Sequence, residues 1–325
     1  MKKEEVIGLD VGYSNTKIVT SGQPLMFRSL VGPARDFKFA LSEKTAAPGE
    51  VVQVLDKTYF VGERAALCDR IYTSKTRDWT ASNIFTALVT SALARIKPLL
   101  DESAEVSVVS GLPVDFMADK ATTAEQISAV ASTLQLHVVN VEIIPQPFGA
   151  FFDYVLDPSG ESIFTTKIGL LGVIDVGWNT TDFILIKNFE NNIERAGGSI
   201  TTGVYSIYDS IRADFMHRFG RNNFTIPEFE ECVRRTKSIK LGKHIQDVSA
   251  IVKTHVSQTA QTIEGIIKSK WSSEDELDTV LLTGGGGSLL RDYLGNYSHD
   301  TRLTVGPQMA NARGYFKRGM LRRKA

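Results

Sequence analysis

The chain has 325 residues, long enough for two hydrophobic cores rather than one. Its 37 basic and 37 acidic residues cancel, so no global field favours nucleic acid and direct DNA contact is not expected. Hydrophobic residues at 42% and charged residues at 23% are ordinary for a soluble globular protein. No stretch approaches the length of a membrane span. The apolar run at 6–9 is cut short by Asp10, too early for a signal segment. The expected setting is the cytoplasm. Cys68 and Cys232 form no CxxC pattern, and the histidines at 137, 217, 244, 255 and 299 show no ligand spacing. Reduced thiols and scattered histidines are therefore expected, not a metal cluster.

In chain order, residues 6–12 read as a buried strand ending in a glycine turn, and 16–20 as its hairpin partner. A third strand is expected over 24–31, with Arg28 outward. Residues 32–75 hold Pro33, Pro48 and Gly49 and two short β-like pieces, 51–55 and 58–61, which suggests a small subdomain or flap. A helix follows, capped by Asp78 or Thr80 and running to Pro98. A buried strand at 106–110, a polar helix at 120–134 and a strand at 137–144 come next. The prolines around Gln146 end that strand, and a helix opens at 148–152.

Then the opening pattern returns. Residues 170–177 are a second buried strand ending in Asp175-Val176-Gly177, and 181–186 is its return strand. This internal duplication is the most informative feature of the sequence. A helix after Gly203 carries Ile207, Ile211 and Phe215 on one face. Helical signals, broken near Pro227, continue to about Ser269. A strand at 279–283 runs into Gly284, Gly285, Gly286, Gly287 and Ser288, with a helix from Leu289. The chain closes through Asn311-Ala312-Arg313-Gly314-Tyr315 and a basic segment.

These patterns suit a nucleotide. A hairpin turn rich in glycine and hydroxyls presents several backbone N–H groups to phosphate oxygens. Gly12 permits close approach, Ser14, Asn15 and Thr16 add short donors, and Lys17 adds a point charge. Gly177, Asn179, Thr180 and Thr181 repeat the chemistry, so two such hairpins would clamp a triphosphate between two domains. Asp10 and Asp175 sit where each strand meets its turn. Two carboxylates beside phosphates repel them unless a hydrated Mg²⁺ intervenes. The tetraglycine run lets a flat base or ribose lie against backbone. A lone Asp-x-Gly is usually only a turn; two matched units followed by a strand-linked glycine run are far more specific. There is no GxxxxGK[ST] and no GxGxxG. Gln146, held between two prolines, is placed to orient a water for attack on a γ-phosphate.

Taken together, the motifs at 8–17, 174–182 and 282–288 and the segments opening at Gln146 and Asn311 resemble the actin, sugar kinase and heat-shock chaperone ATPase superfamily. Within it the layout looks most like the ParM/StbA-type plasmid-segregation actins and archaeal actin-like proteins. The resemblance implies an α/β, actin/ribonuclease-H-like fold: two related domains of mixed β-sheet flanked by helices around a nucleotide cleft. Domain I would take 1–147 plus 306–325, with a small subdomain at about 32–75, and domain II 148–305. Mg²⁺ would be held through water by Asp10 and Asp175, with Gln146 catalytic beside them. ATP, ADP after hydrolysis, or GTP would be bound by Gly12, Tyr13, Ser14, Asn15, Thr16, Lys17, Gly177, Trp178, Asn179, Thr180, the four glycines 284–287 and Ser288. Segregation relatives often carry Glu where Gln146 stands, and Trp178 replaces a residue that is commonly small.

The resemblance further implies an ATP-driven filament, self-associating and coupled to plasmid DNA through a DNA-bound adaptor. Two other functions share the fold. A small-molecule phosphotransferase would need an acceptor-site base, for which no motif is present. A membrane-linked cytoskeletal actin would need the basic end to meet anionic lipid, but Gly314 and Gly319 weaken that segment as an amphipathic helix.

Overall fold

The first strand, β1 (Glu4–Val11), is buried from its second residue onward, and its pleat explains why it is so uniformly apolar. Ile7, Leu9 and Val11 join one core, while Val6 packs on the opposite face beneath a helix near the chain's end. The computed structural model describes residues 4–34, 46–72, 78–165, 169–187, 191–192, 196–220, 224–271, 277–295, 298 and 300–324. Parts of the expected flap, at 35–45 and 73–75, and His299 lie outside them. The chain divides into two units, Met1–Thr165 with Met309–Ala325, and Thr166–Gln308.

In the first unit β1 is followed by β2 (Asn15–Val19), β3 (Leu25–Arg28), β4 (Val31–Pro33), β5 (Val51–Val54), β6 (Lys57–Val61), α1 (Asn83–Ile96), β7 (Glu105–Leu112), α2 (Lys120–Thr133), β8 (Val138–Pro145) and α3 (Gln146–Val155). The main sheet has the order β3-β2-β1-β7-β8, with β4-β6-β5 as a separate small sheet. The strand expected over 24–31 is thus split, its end joining the small sheet; Arg28 is exposed as expected. The cap of α1 is neither Asp78 nor Thr80, which fall in and beside a short turn, Trp79–Ala81. It is Ser82, whose Oγ accepts from the Phe85 amide at 3.2 Å. Helix α3 begins at Gln146, two residues earlier than expected.

The second unit repeats the plan with β9 (Leu170–Val176), β10 (Thr181–Lys187), β11 (Asn191–Asn192), β12 (Gly198–Ile200), α4 (Val204–Phe219), α5 (Ile226–Glu231), β13 (Ser238–Leu241), β14 (His244–Asp247), α6 (Ser249–Lys270), β15 (Thr279–Thr283), α7 (Gly287–Leu294) and β16 (Thr301–Leu303). Its sheet runs β11-β10-β9-β15-β16, with β12 also on β10. Ile207, Ile211 and Phe215 of α4 are fully buried in its core with Ile263 and Trp271. The stretch expected to be helical from Pro227 to Ser269 is interrupted by the β13–β14 hairpin. Its turn places Gly242 at φ 61°, and its two short strands alternate too weakly to stand out. Helix α7 starts at Gly287, before Leu289.

Helix α8 (Ala310–Lys324) returns to the first unit and packs on α3 and β1. This is why residues 148–165 belong with the first unit and not, as expected, with the second. The α3–α8 crossing is tight: a Cβ on Gly314 would lie 1.7 Å from the Gly149 carbonyl oxygen. The basic residues of α8 are matched by acids. Arg313 and Lys317 pair with Asp153 at 2.6 and 2.9 Å, Arg318 with Glu142 at 3.1 Å, and Lys324 with Glu161 at 2.8 Å. A basic face offered to lipid is thereby largely consumed within the unit. Among the described residues no helix is long and apolar enough to cross a membrane, and both cysteines are buried free thiols.

Candidate functional site

Each unit carries one candidate site, built at the carboxyl edge of its central strands, where open α/β sheets bind ligands. In the first, β1 and β2 pair so that Asp10 stands opposite Lys17. Directly opposed side chains share a sheet face, and Lys17 Nζ meets Asp10 Oδ2 at 2.8 Å. Lys17 is therefore engaged with the carboxylate that the sequence assigned to metal. The turn closes through the Gly12 amide, which donates to the Asn15 carbonyl at 3.2 Å. Asn15 Nδ2 donates to Ser14 Oγ at 3.0 Å.

Thr16 is buried and its hydroxyl faces Ser29 Oγ at 2.9 Å. Ser29 Oγ in turn donates to the Gly12 carbonyl at 2.6 Å. Thr16 thus braces the turn from behind instead of presenting its hydroxyl at the turn's surface. Ser29 was not singled out from sequence; only the β2–β3 register, which pairs Thr16 with Phe27 and Asn15 with Arg28, brings it close. The Tyr13 ring stacks on Trp79 with centroids 4.6 Å apart.

Gln146 is half-buried at the first position of α3. Strand β8 runs parallel to β7, with Pro145 opposite Leu112, and β7 runs parallel to β1, with Ser110 opposite Leu9. Gln146 and Asp10 therefore lie along the same sheet edge, two strand spacings or roughly 10 Å apart. The Gln146 carbonyl accepts from the Tyr315 hydroxyl at 3.4 Å. Among the described residues its side-chain amide makes no hydrogen bond.

The second unit's site repeats the turn closely. The Gly177 amide donates to the Thr180 carbonyl at 2.9 Å. A Cβ on Gly177 would sit 3.0 Å from that oxygen, as one on Gly12 would sit 2.9 Å from Asn15 O. The carbonyls of Gly177 and Trp178 accept from the first amides of α4, Val204 N and Tyr205 N, at 3.1 and 2.9 Å. Among the described residues the amides of Trp178 and Asn179 have no backbone acceptor, which leaves them able to meet an anion.

The register that pairs Asp10 with Lys17 here pairs Asp175 with Asp182, both buried. The Thr180 hydroxyl donates to Asp182 Oδ2 at 2.8 Å, and Ser199 Oγ donates to Oδ1. Thr181 is fully buried, its hydroxyl on the Thr202 carbonyl at 2.7 Å. The Trp178 ring packs on Tyr205 and Tyr208 of α4, which holds it against its own unit's core.

Parallel pairing sets Thr283 of β15 beside Asp175, so the glycine run begins next to that carboxylate. Gly284 has φ +82°, and a Cβ there would lie 2.3 Å from Asp175 Oδ1; only glycine fits. Gly286 packs on Val176 and Val204, while Gly285 has open space where a Cβ would stand. Gly287 is buried in the first turn of α7 and Ser288 is exposed. The run is therefore a fitted cover on Asp175 with one open position, not a loose connection. The phenol of Tyr208, buried in the same unit's core, is pushed up to about 12, by burial first and by Glu230, against the opposing pull of Arg234.

Two mixed sheets of like order, each with a glycine turn and an acidic strand end, make up an actin-like fold. Family models agree: residues 8–149 match the actin-like proteins N-terminal domain, and residues 173–296 match the archaeal actin homologue MreB-like C-terminal domain. The chain has the actin-like fold. In structure it is similar to Ta0583, an archaeal actin homologue (TM-score 0.77, 18% identity, 97% of this chain and 99% of that one). It is also similar to a non-polymerisable quadruple mutant of pCBH ParM (TM-score 0.75, 19% identity, 98% and 99%). The ParM of a 15-stranded Clostridium botulinum filament matches with TM-score 0.74 and 20% identity over 98% and 99%. A complex of Ta0583 with ADP matches as well (TM-score 0.70, 18% identity, 97% and 99%). No curated protein matches in sequence.

Proposed function

We propose that this protein is an ATPase that assembles into nucleotide-dependent filaments, and that the filaments move DNA through a DNA-bound adaptor. The observation that carries the reading is the recurrence of one turn geometry around an acidic strand end in both units, with Gly284 fitted against the second acid. The turn amides of each unit would meet nucleotide phosphates. The donors near the turns are carboxylates and hydroxyls, hard oxygen ligands that suit Mg²⁺. Asp10 and Asp175 would hold it through water, and it would supply charge neutralisation for the triphosphate. Asp10 is already balanced by Lys17, so the paired carboxylates 175 and 182 carry more of this task. Gln146, on the Asp10 edge with its amide uncommitted, would orient the attacking water.

Relatives that are a filament and an ADP complex support self-assembly and nucleotide binding here. The balanced charge supports an adaptor over direct DNA contact. Right-angle light scattering of the purified protein with Mg²⁺ and ATP, ADP or no nucleotide tests the proposal. Scattering should rise with ATP and stay flat for Asp175→Ala. ATP binding without any rise, over a wide range of protein concentration, would sink the autonomous filament.

A further inference from the structure

Resting on the nucleotide reading above, we propose that Ser29 is the positioning residue of the first turn: it holds the backbone of residues 12–15 in the form that receives phosphate. Ser29 sits where β3 has ended and β4 has not begun. The Leu30 amide donates back to the Arg28 carbonyl at 2.8 Å, a three-residue turn of the kind found at strand ends. That kink breaks the strand and turns both polar groups of Ser29 to the neighbouring loop. Its amide donates to the Ser14 carbonyl at 2.8 Å, and its hydroxyl to the Gly12 carbonyl at 2.6 Å. A serine hydroxyl has one proton to give. Because that proton goes to Gly12, the Thr16 hydroxyl is the donor in its 2.9 Å contact with Ser29 Oγ. Thr16 is fully buried, so the Ser29 hydroxyl is fixed from behind.

A trans peptide points its carbonyl and its amide in opposite directions. Tying the carbonyls of Gly12 and Ser14 to Ser29 therefore turns the amides that follow them, those of Tyr13 and Asn15, away from it. Successive amides aimed to one side of a turn are what a phosphate needs. The second unit reaches the same end by another route. There the carbonyls of Gly177 and Trp178 accept from Val204 N and Tyr205 N, backbone donors that a change of side chain leaves in place. The first turn instead hangs its leading carbonyl on one hydroxyl. A single substitution can therefore slacken it without altering any group on the turn itself.

The competing role for Ser29 is stability alone, as for any buried hydroxyl on a carbonyl. Ser91 on α1 supplies the control. It is fully buried in the same unit, its Oγ donates to the Gly49 carbonyl at 2.6 Å, and it accepts from Arg95 Nε at 3.2 Å. Calorimetric titration of the full chain with ATP and with adenosine separates the two roles. Mg²⁺ is present, the protein is kept below any rise in scattering, and urea midpoints are read alongside. Ser29→Ala and Ser91→Ala should both lower the midpoint. Only Ser29→Ala should weaken ATP, by roughly fivefold, with adenosine unchanged. Ser29→Cys keeps the size but donates weakly and should behave like the alanine variant. Ser29→Thr keeps the hydroxyl and should bind ATP as the wild type does. These two answer the question if the alanine variant does not fold. Unchanged ATP binding in Ser29→Ala, or an equal loss in Ser91→Ala, overturns the role of Ser29 while the nucleotide reading stands. A wild type that binds ATP no better than adenosine overturns that reading, and the role of Ser29 with it.

Discussion

The turn sites of the two units are copies whose difference comes down to single residues. At one register position the first unit sets Lys17 opposite its strand-end aspartate, and the second sets Asp182. The same backbone therefore yields a neutralised carboxylate in one unit and a doubled one in the other. Lys17→Met would leave the nearly buried Asp10 without its cation and should cost about 3 kcal/mol. Adding Asp10→Asn should recover most of that loss, because the pair and not either residue is what the fold requires. Urea unfolding of both singles and the double checks this.

The Asp-x-Gly turns were legible because a turn and its two strands are local in sequence. The Asp10–Lys17 pair was not, since it depends on how many residues the turn takes up. The direction of Thr16 rests on the same count: strand alternation sends its hydroxyl to the inner face, toward Ser29. A further residue-scale prediction concerns Tyr208. Its phenol ionises near 10 when unfolded and at about 12 when folded. The unfolded state thus binds fewer protons between those values, and stability falls as pH rises through the window, by roughly 2–3 kcal/mol in all. Tyr208→Phe should flatten that limb of the denaturation profile.

Elements behave here as their ends dictate. Helix α1 owes its start to Ser82, so Ser82→Ala should cost about 1 kcal/mol, whereas Thr80→Ala should leave the helix end unchanged. The glycine run gives a sharper test. Gly284→Ala must accept φ +82° and a clash with Asp175, and Gly286→Ala a clash with Val176 and Val204. Each should lose at least 1–3 kcal/mol as an overpacked site. Gly285→Ala meets nothing and should fold with nearly wild-type stability. Four adjacent glycines read alike in sequence; the register of β15 against β9 is what makes them unequal. The β13–β14 hairpin escaped sequence reading because its strands are only four residues each and their apolar residues fall on opposite faces, Ile239 and Leu241 pairing with Gln246 and His244, and Ile245 with Lys240. Its one clear mark was Gly242 in the tight turn. The long strands and α4 were plain because both faces, or one full helical stripe, are filled with apolar residues.

At the scale of the whole molecule, the chain leaves the first unit after residue 165 and returns to it only with α8. That helix covers the side of β1 opposite the main core, where Val6, Val19, Ala312 and Phe316 form their own cluster. It also grips α3 through the Arg313–Asp153 and Lys317–Asp153 pairs. The second unit has a complete core of its own without α8. Removing residues 310–325 should therefore uncover the back of β1 and loosen the first unit while sparing the second. Hydrogen exchange read by mass spectrometry should show protection lost in β1, β2 and α3 and retained in β9, β15 and α6. Gly314→Val gives a gentler version, since its side chain cannot enter the crossing with Gly149 and the helix must lift. Uniform loss of protection across both units would mean that they unfold as one, and that α8 holds the molecule together and not merely its first unit.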